Sequence, residues 1–319
     1  MHQLPLTGIF APLILRYIPL VSAMRMPNNL NINIGENQCF LSNKSTTMLN
    51  PLQLDKFKKD VLIDTPFYTE GPVVDSLGNV FITNLLGGQI LKIDDQSMEE
   101  WAVCKSPNGQ FIAPNGNHFV CNSLAGSLEC FAQNGELVKT WCIGEVDHHF
   151  VQCPNDLWIE PDGTIFFTDS VRHEGAVVGI DKAGQARIIV RDLDYPNGIV
   201  YDAKKKCLYV AESFKNRILM MDLHFDPPQV QVLVDLPKHP SGKEADNLPD
   251  GLAFDESGNL WIAHHGMGLV HCFDFQQNQL FSMESLIPLT SNIHVDHHRI
   301  IITGGLSEPG PGSVRIINR

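Results

Sequence analysis

From residue 57 onward, apolar and polar residues alternate along the chain with the two-residue period of strands, and helical spacing is missing. One unit recurs six times: an acidic residue, a short turn that often holds glycine, then alternating apolar residues. It reads VVDSLGNVFITN (73–84), WIEPDGTIFFTD (158–169), VYDAKKKCLYVAE (200–212) and AFDESGNLWIAH (253–264), with weaker copies FIAPNGNHFVCN (111–122) and HVDHHRIIITG (294–304). Aligned on the turn, the copies sit at 78, 116, 163, 206, 258 and 299, with steps of 38, 47, 43, 52 and 41 residues. A repeat of that length made of short strands predicts propeller blades rather than a helical solenoid.

Each copy is followed by a second apolar strand: GGQILKID (87–94), GSLECFAQ (126–133), GAVVGID (175–181), NRILMMDL (216–223), GLVHCFD (268–274) and GSVRIIN (312–318). A more polar strand comes next, as in ARIIVRDL (186–193) and VQVLVDL (230–236). The last copy has no such outer strand, because the sequence ends at Arg319. KDVLID (59–64) reads as that missing strand, placed before the first copy. The expected fold is therefore an all-β, six-bladed propeller over 57–319, its last blade completed by the N-terminal strand, which removes an open sheet edge. Residues 1–56 form an extension; between 27 and 52 they are rich in Asn, Ser, Thr, Gln and Pro without periodicity, and read as disordered or loosely packed.

Composition narrows the partners. The 319 residues hold 23 Lys and Arg against 36 Asp and Glu, a formal charge of −13. Phosphate backbones repel such a surface, so nucleic acid is excluded as an expected partner and a small molecule is preferred. None of the eight cysteines forms a C-x-x-C pair, which removes zinc-ribbon and thioredoxin readings. Reduced, mostly buried thiols and a cytoplasmic location are expected. The apolar stretch Ile9 to Ala23 is short, is interrupted by Pro12, Arg16 and Pro19, and lacks a basic start, so it is not expected to span a membrane; Val-Ser-Ala at 21–23 leaves secretion as the minor alternative.

Candidate chemistry lies at the blade starts, which converge at one mouth of a propeller channel. Counting back five from the acidic position gives Glu70, Asn108, Asn155, Asn197, Asp250 and Ser291, a side-chain oxygen in every copy. Asn and Asp also favour turns, and one copy alone would mean no more than that. Glu70 and Asp250 facing each other in a ring of asparagines would repel unless a cation joined them. Carboxylate and amide oxygens suit a hard divalent ion: Ca²⁺ first, with Mg²⁺, Mn²⁺ or Zn²⁺ as alternatives.

Five runs carry a family resemblance: EGPVVDSLGNVFITN, PNDLWIEPDGTIFFTD, YPNGIVYDAKKKCLYVAES, LPDGLAFDESGNLWIA and the closing SNIHVD, ITGG and GSVRI. Their order resembles the senescence marker protein-30/gluconolactonase/luciferin-regenerating-enzyme-like family over about 57–319. The resemblance implies a six-bladed propeller and hydrolysis of lactones or related esters. It implies metal ligation by Glu70, Asn197 and Asp250, a metal or substrate contact from Asn155, and Asp250 as general base. One departure bears on substrate: family members that act on sugar lactones often carry arginine where this chain has Cys153. A thiol cannot make the charged, bidentate contacts of a guanidinium, which speaks against a polyhydroxylated sugar-acid lactone.

Cys153 is expected to line the pocket beside Asn108 and Asn155. Of the histidine pairs at 148–149, 264–265 and 297–298, only His265, on the connection after its strand, is expected to reach substrate, since neighbours on a strand face opposite ways. No G-x-S-x-G elbow supports a serine hydrolase. The leading expectation is a metal-dependent lactonase or esterase; the alternatives are a phosphotriester hydrolase on the same site and a non-catalytic propeller that binds a cation or a partner.

Overall fold

The computed structural model describes residues 47–48, 59–94 and 97–318. Nearly all of the 1–56 extension lies outside the described residues. The fold is all-β and propeller-like. Four antiparallel four-stranded sheets follow in sequence. The first is Thr69–Val74, Val80–Asn84, Gln89–Ile93 and Met98–Val103. The second is Pro107–Ile112, His118–Asn122, Ser127–Phe131 and Leu137–Cys142. The third is Pro154–Ile159, Ile165–Asp169, Gly175–Ile180 and Ala186–Leu193. The fourth is Pro196–Asp202, Cys207–Glu212, Arg217–Asp222 and Gln229–Asp235.

Glu145–Val146 and His149–Phe150 pair as a short hairpin, and the other described strands form one nine-stranded sheet. It holds Leu248–Phe254, Leu260–His265, Leu269–Asp274 and Gln279–Glu284, then Leu289–Val295, Arg299–Gly305 and Gly312–Asn318. The two runs meet where His265 pairs with Leu289. Lys59–Thr65 lies antiparallel on the last strand, in register from Lys59 against Asn318 to Thr65 against Gly312. Thr47–Met48 pairs in parallel with Gln279–Glu284.

The recurring acidic residue has a local cause. Asp75 Oδ1 accepts the N–H groups of Leu77 and Asn79 at 2.9 and 2.8 Å, tying the turn between first and second strands. Asp202, Asp255 and Asp296 do the same in their copies. Gly78, Gly163 and Gly258 take φ of +87°, +92° and +81° there, a region that disfavours side chains.

Period two puts alternate side chains on the two faces of each sheet, and the inner three strands bury both faces against neighbouring sheets. Apolar clusters fill the successive intervals, as with Leu128, Leu157 and Phe167, or Tyr209, Leu252 and Ile262. The interval between the end and the beginning of the chain is filled too, by Val80, Ile82, Ile301 and Val314. Outer strands such as Gln229–Asp235 are largely exposed, which explains their weaker apolar pattern. Among the described residues, no helix is long and apolar enough to cross a membrane.

Candidate functional site

Each first strand breaks register at the same place. The irregularity falls between Glu70 and Val73, Pro107 and Gln110, Pro154 and Leu157, Pro196 and Ile199, Pro249 and Leu252, and Thr290 and Ile293. A bulge leaves residues unpaired in the ladder and re-aims their side chains. The residues freed or flanked here are Glu70, Asn108, Asn155, Asn197, Asp250 and Ser291, the six positions marked in the sequence. All six are buried.

The position after each is what lets neighbouring strands meet. Glycine stands there in four copies, and a Cβ would collide with the next strand: 2.3 Å from Asp250 O at Gly198, 2.0 Å from Asn292 Oδ1 at Gly251. In the two other copies the position is Asp156 and Asn292, and their side chains bridge strands instead. Asp156 Oδ2 accepts Ile199 N–H at 3.2 Å, and Asn292 donates its amide to Glu70 Oε2 at 3.3 Å.

Hydroxyl clamps fix the ring from sheet to sheet. Ser123, Ser170 and Ser213 each donate at 2.6 Å to the proline carbonyl just before Asn155, Asn197 and Asp250 respectively. Ser291 donates to Thr69 O at 2.7 Å, just before Glu70. Thr83 and Thr168 donate to the carbonyls of Asn108 and Asn197 at 2.7 Å. The site residues thus sit on strands locked to both neighbours, the rigid support that a binding constellation needs.

The electrostatics are those of crowded buried acids. Burial pushes Glu70 from an ordinary 4.5 up to about 8, against the hydrogen bonds from Asn292 and Gly71 that favour its anion. Asp250 is raised well above the usual carboxylate range by burial, then by the charges of Glu70, Asp156 and Glu308; a hydrogen bond from Asn197 opposes the shift. Burial raises Asp156 to about 7. Tyr68 and Tyr195 are raised by burial and by charges that include Glu70, Asp250 and Glu308.

Oxygen capacity is also left unspent. Oδ1 of Asn108 and Oδ1 of Asn197 are buried without a hydrogen-bond partner. Buried oxygens without donors are costly, and a hard cation relieves them together with the acid repulsion. Among the described residues, no three His, Cys, Asp or Glu side chains cluster as a metal-binding group. A cation here would rest on the mixed set Glu70, Asn197 and Asp250 with Asn155, which fits a hard ion better than a thiol- or imidazole-seeking one.

The remaining expectations divide. Ser291 turns its hydroxyl to Thr69 and Thr303, so the amide that reaches Glu70 in that sheet belongs to Asn292. Cys153 is partly exposed, its thiol pushed up to about 12 by burial and Asp169, which keeps it protonated. His265 closes the strand Leu260–His265 rather than lying on a connection, because it makes the bridge to Leu289. Its Nε2 is 3.4 Å from Glu308 Oε1, and its ring meets Tyr68 edge-on at 6.2 Å. His264 is instead a core residue, bonded at 2.9 Å to His271.

Asp156, Asn292, Glu308, Tyr68 and Tyr195 join the candidate site in the structure and lie outside the positions that the repeat marks. Asp156 and Asn292 carried a signal, as the two departures from glycine in the repeat. Cavities of about 330 and 290 Å³ lie elsewhere, lined by Ile188–Arg191 with Pro227 and Pro228, and by Thr164, Phe166 and Arg187 among others.

The model of the "SMP-30/Gluconolactonase/LRE-like region" matches residues 68–295, and the chain belongs to that family. A curated relative, lactonase drp35 of Staphylococcus aureus strain MW2, is 26% identical over 269 residues, 77% of this chain and 81% of its own. Among solved structures, a gluconolactonase of Xanthomonas campestris superposes with a TM-score of 0.69 at 20% identity, over 87% of this chain and 96% of that one. A calcium-binding protein, regucalcin of Agrobacterium tumefaciens, superposes with a TM-score of 0.65 at 18% identity, over 82% and 94%. At such identities the structural likeness establishes the fold alone.

Proposed function

We propose that this chain is a divalent-metal-dependent hydrolase of small-molecule lactones or related carboxylic esters, working at one mouth of a six-bladed propeller. The blade count takes the nine-stranded sheet as two blades joined by the single bridge at His265. Lys59–Thr65, in seven-residue register on the last strand, then serves as the closing strand. The packing of Ile301 and Val314 on Val80 and Ile82 supports that closure.

The observation that carries the functional reading is the burial of Glu70 and Asp250 at equivalent bulges of a ring that also holds the unsatisfied Asn108 and Asn197 oxygens. Burying mutually repelling acids is expensive, and a structural ring has no need of them. Glu70, Asn197 and Asp250, with Asn155, would hold the cation; Ca²⁺ is preferred, in keeping with the regucalcin likeness. When bound, the ion supplies Lewis-acid polarisation of the ester or lactone carbonyl. Asp250, held beside the ion, would take the proton of the attacking water. Asn155 and Asn108 present amide groups to the substrate oxygens, while Cys153 and His265 border the pocket. The free thiols of Cys104, Cys121, Cys130 and Cys207 support a reducing, cytoplasmic setting.

The test is a panel of lactones, aryl esters and phosphotriesters, assayed with the protein loaded in turn with Ca²⁺, Mg²⁺, Mn²⁺ and Zn²⁺. Turnover of lactones or esters that chelation removes is expected, with gluconolactone among the poorer substrates. Turnover confined to phosphotriesters, or none with any ion, would overturn the proposal.

A further inference from the structure

The same serine clamps that lock the ring also place apolar side chains beside it. Ser123 is followed by Leu124, Ser170 by Val171 and Ser213 by Phe214, each next to a hydroxyl that grips the residue before Asn155, Asn197 or Asp250. Phe214 is further held by its N–H to Asp194 O at 3.4 Å and by the Arg172 guanidinium, stacked 3.4 Å from its ring centre. Arg172 itself donates to Asp194 Oδ1 at 2.7 Å, so its charge is committed. Tyr195 meets Phe214 edge-on at 5.6 Å. Its φ of +62° is a conformation that bulky residues avoid, kept here where the surrounding contacts hold it. Tyr195 is partly exposed, yet its carbonyl accepts Ser213 N–H at 3.1 Å and it directly precedes the clamped Pro196 and Asn197, so it joins the ring to the surface.

The two ends of the fold differ. Connections at the ring end expose Leu124 at 43% and Phe150 at 64%, in the sector of Asn155, and Leu286 and Leu306 on the other side. The turns at the opposite end present Leu77 and Phe225. The charges acting most strongly on Glu70 and Asp250 are acidic. The cations at this wall, Arg172 and Lys215, both face Asp194, and the held aromatic pair matches hydrocarbon.

We propose that the wall of Tyr195 and Phe214 is a subsite for an apolar substituent, and that the substrates are lactones or esters bearing a bare alkyl or aryl group. This rests on the hydrolase reading of the ring. The substrate's carbonyl end sits at Asp250 and Asn197, and its tail leaves over the two aromatic rings. Each methylene laid on the wall strengthens binding by roughly two- to fourfold until the wall is covered.

The experiment follows kcat/KM for monomeric γ-lactones of increasing alkyl length, from γ-butyrolactone to γ-dodecalactone, beside the affinity of the matching γ-alkyl lactams, which are not hydrolysed. Both should climb with chain length. Phe214→Ser should flatten the climb, Phe214→Leu should keep most of it, and Leu77→Ser at the far end should leave it unaltered. A flat or falling series in the native protein overturns the subsite, as does an undiminished climb in Phe214→Ser. Rates that depend on chain length only when phosphatidylcholine vesicles are present would overturn it in favour of a lipid-facing rim. Lactam affinity that climbs without turnover of any lactone would leave the subsite standing and remove the hydrolase reading instead.

Discussion

Asn292 donates its side-chain amide to Glu70 Oε2 at 3.3 Å, joining residues 222 apart in sequence. With Ser291 to Thr69 O at 2.7 Å, this contact links the last inner strand to the first at the level of the site. Asn292→Leu removes a donor from a buried carboxylate. It should cost about 1–3 kcal/mol of stability, read from denaturant unfolding, and weaken cation binding at the same time. A variant as stable as the native protein would show that the contact contributes nothing to closure.

The crowded acids set a pH dependence for the metal-free protein. Glu70 is raised from 4.5 to about 8, and Asp156 is raised to about 7. For an acid whose folded pKa is raised, the stabilising contribution is complete below the unfolded value and is lost as pH climbs through the folded one. The metal-free melting temperature should therefore fall between about pH 5 and about pH 8. A bound cation favours the ionised acids, so affinity should rise over the same range and the fall should disappear when the ion is saturating. Thermal melts at several pH values, with and without chelator, check both statements.

The pairing of Lys59–Thr65 with Gly312–Asn318 predicts where the chain can be shortened. A protein beginning near Gln53 loses only the two-residue pairing of Thr47–Met48 and should melt nearly as the full chain does, while one beginning at Pro66 should be strongly destabilised, because the last strand loses its partner. Equal melting of the two would refute the closing role given to that strand.

Much of this was legible in the sequence because the repeat enforces it. The Asp-turn-strand unit exists because Asp75 and its counterparts tie their own turns, a local interaction that leaves a local trace. Glu70, Asn155, Asn197 and Asp250 could be aligned because a bulge recurs at one position in every first strand. Glu308 and Tyr68 were not legible. Glu308 comes from a long connection in the last repeat and Tyr68 from the segment before the first, and only tertiary packing brings them to Asp250. Asn292 fell one residue beyond the position counted, where glycine in other copies hid its meaning. The strand position of His265 is hidden from the sequence because its bridge to Leu289 joins two repeats, which no periodicity within one repeat reveals.

A cation held by Glu70, Asn197 and Asp250 and a proton acceptor at Asp250 should act together. The most direct measurement is cation binding by calorimetry and lactone turnover, recorded side by side for the native protein and Asp250→Asn. Asparagine keeps a ligand oxygen and removes the base, so Asp250→Asn should still bind the ion, with weakened affinity, while turnover drops by roughly a hundredfold or more. Native-like turnover in Asp250→Asn, or undiminished turnover of the native protein after exhaustive chelation, would contradict the account.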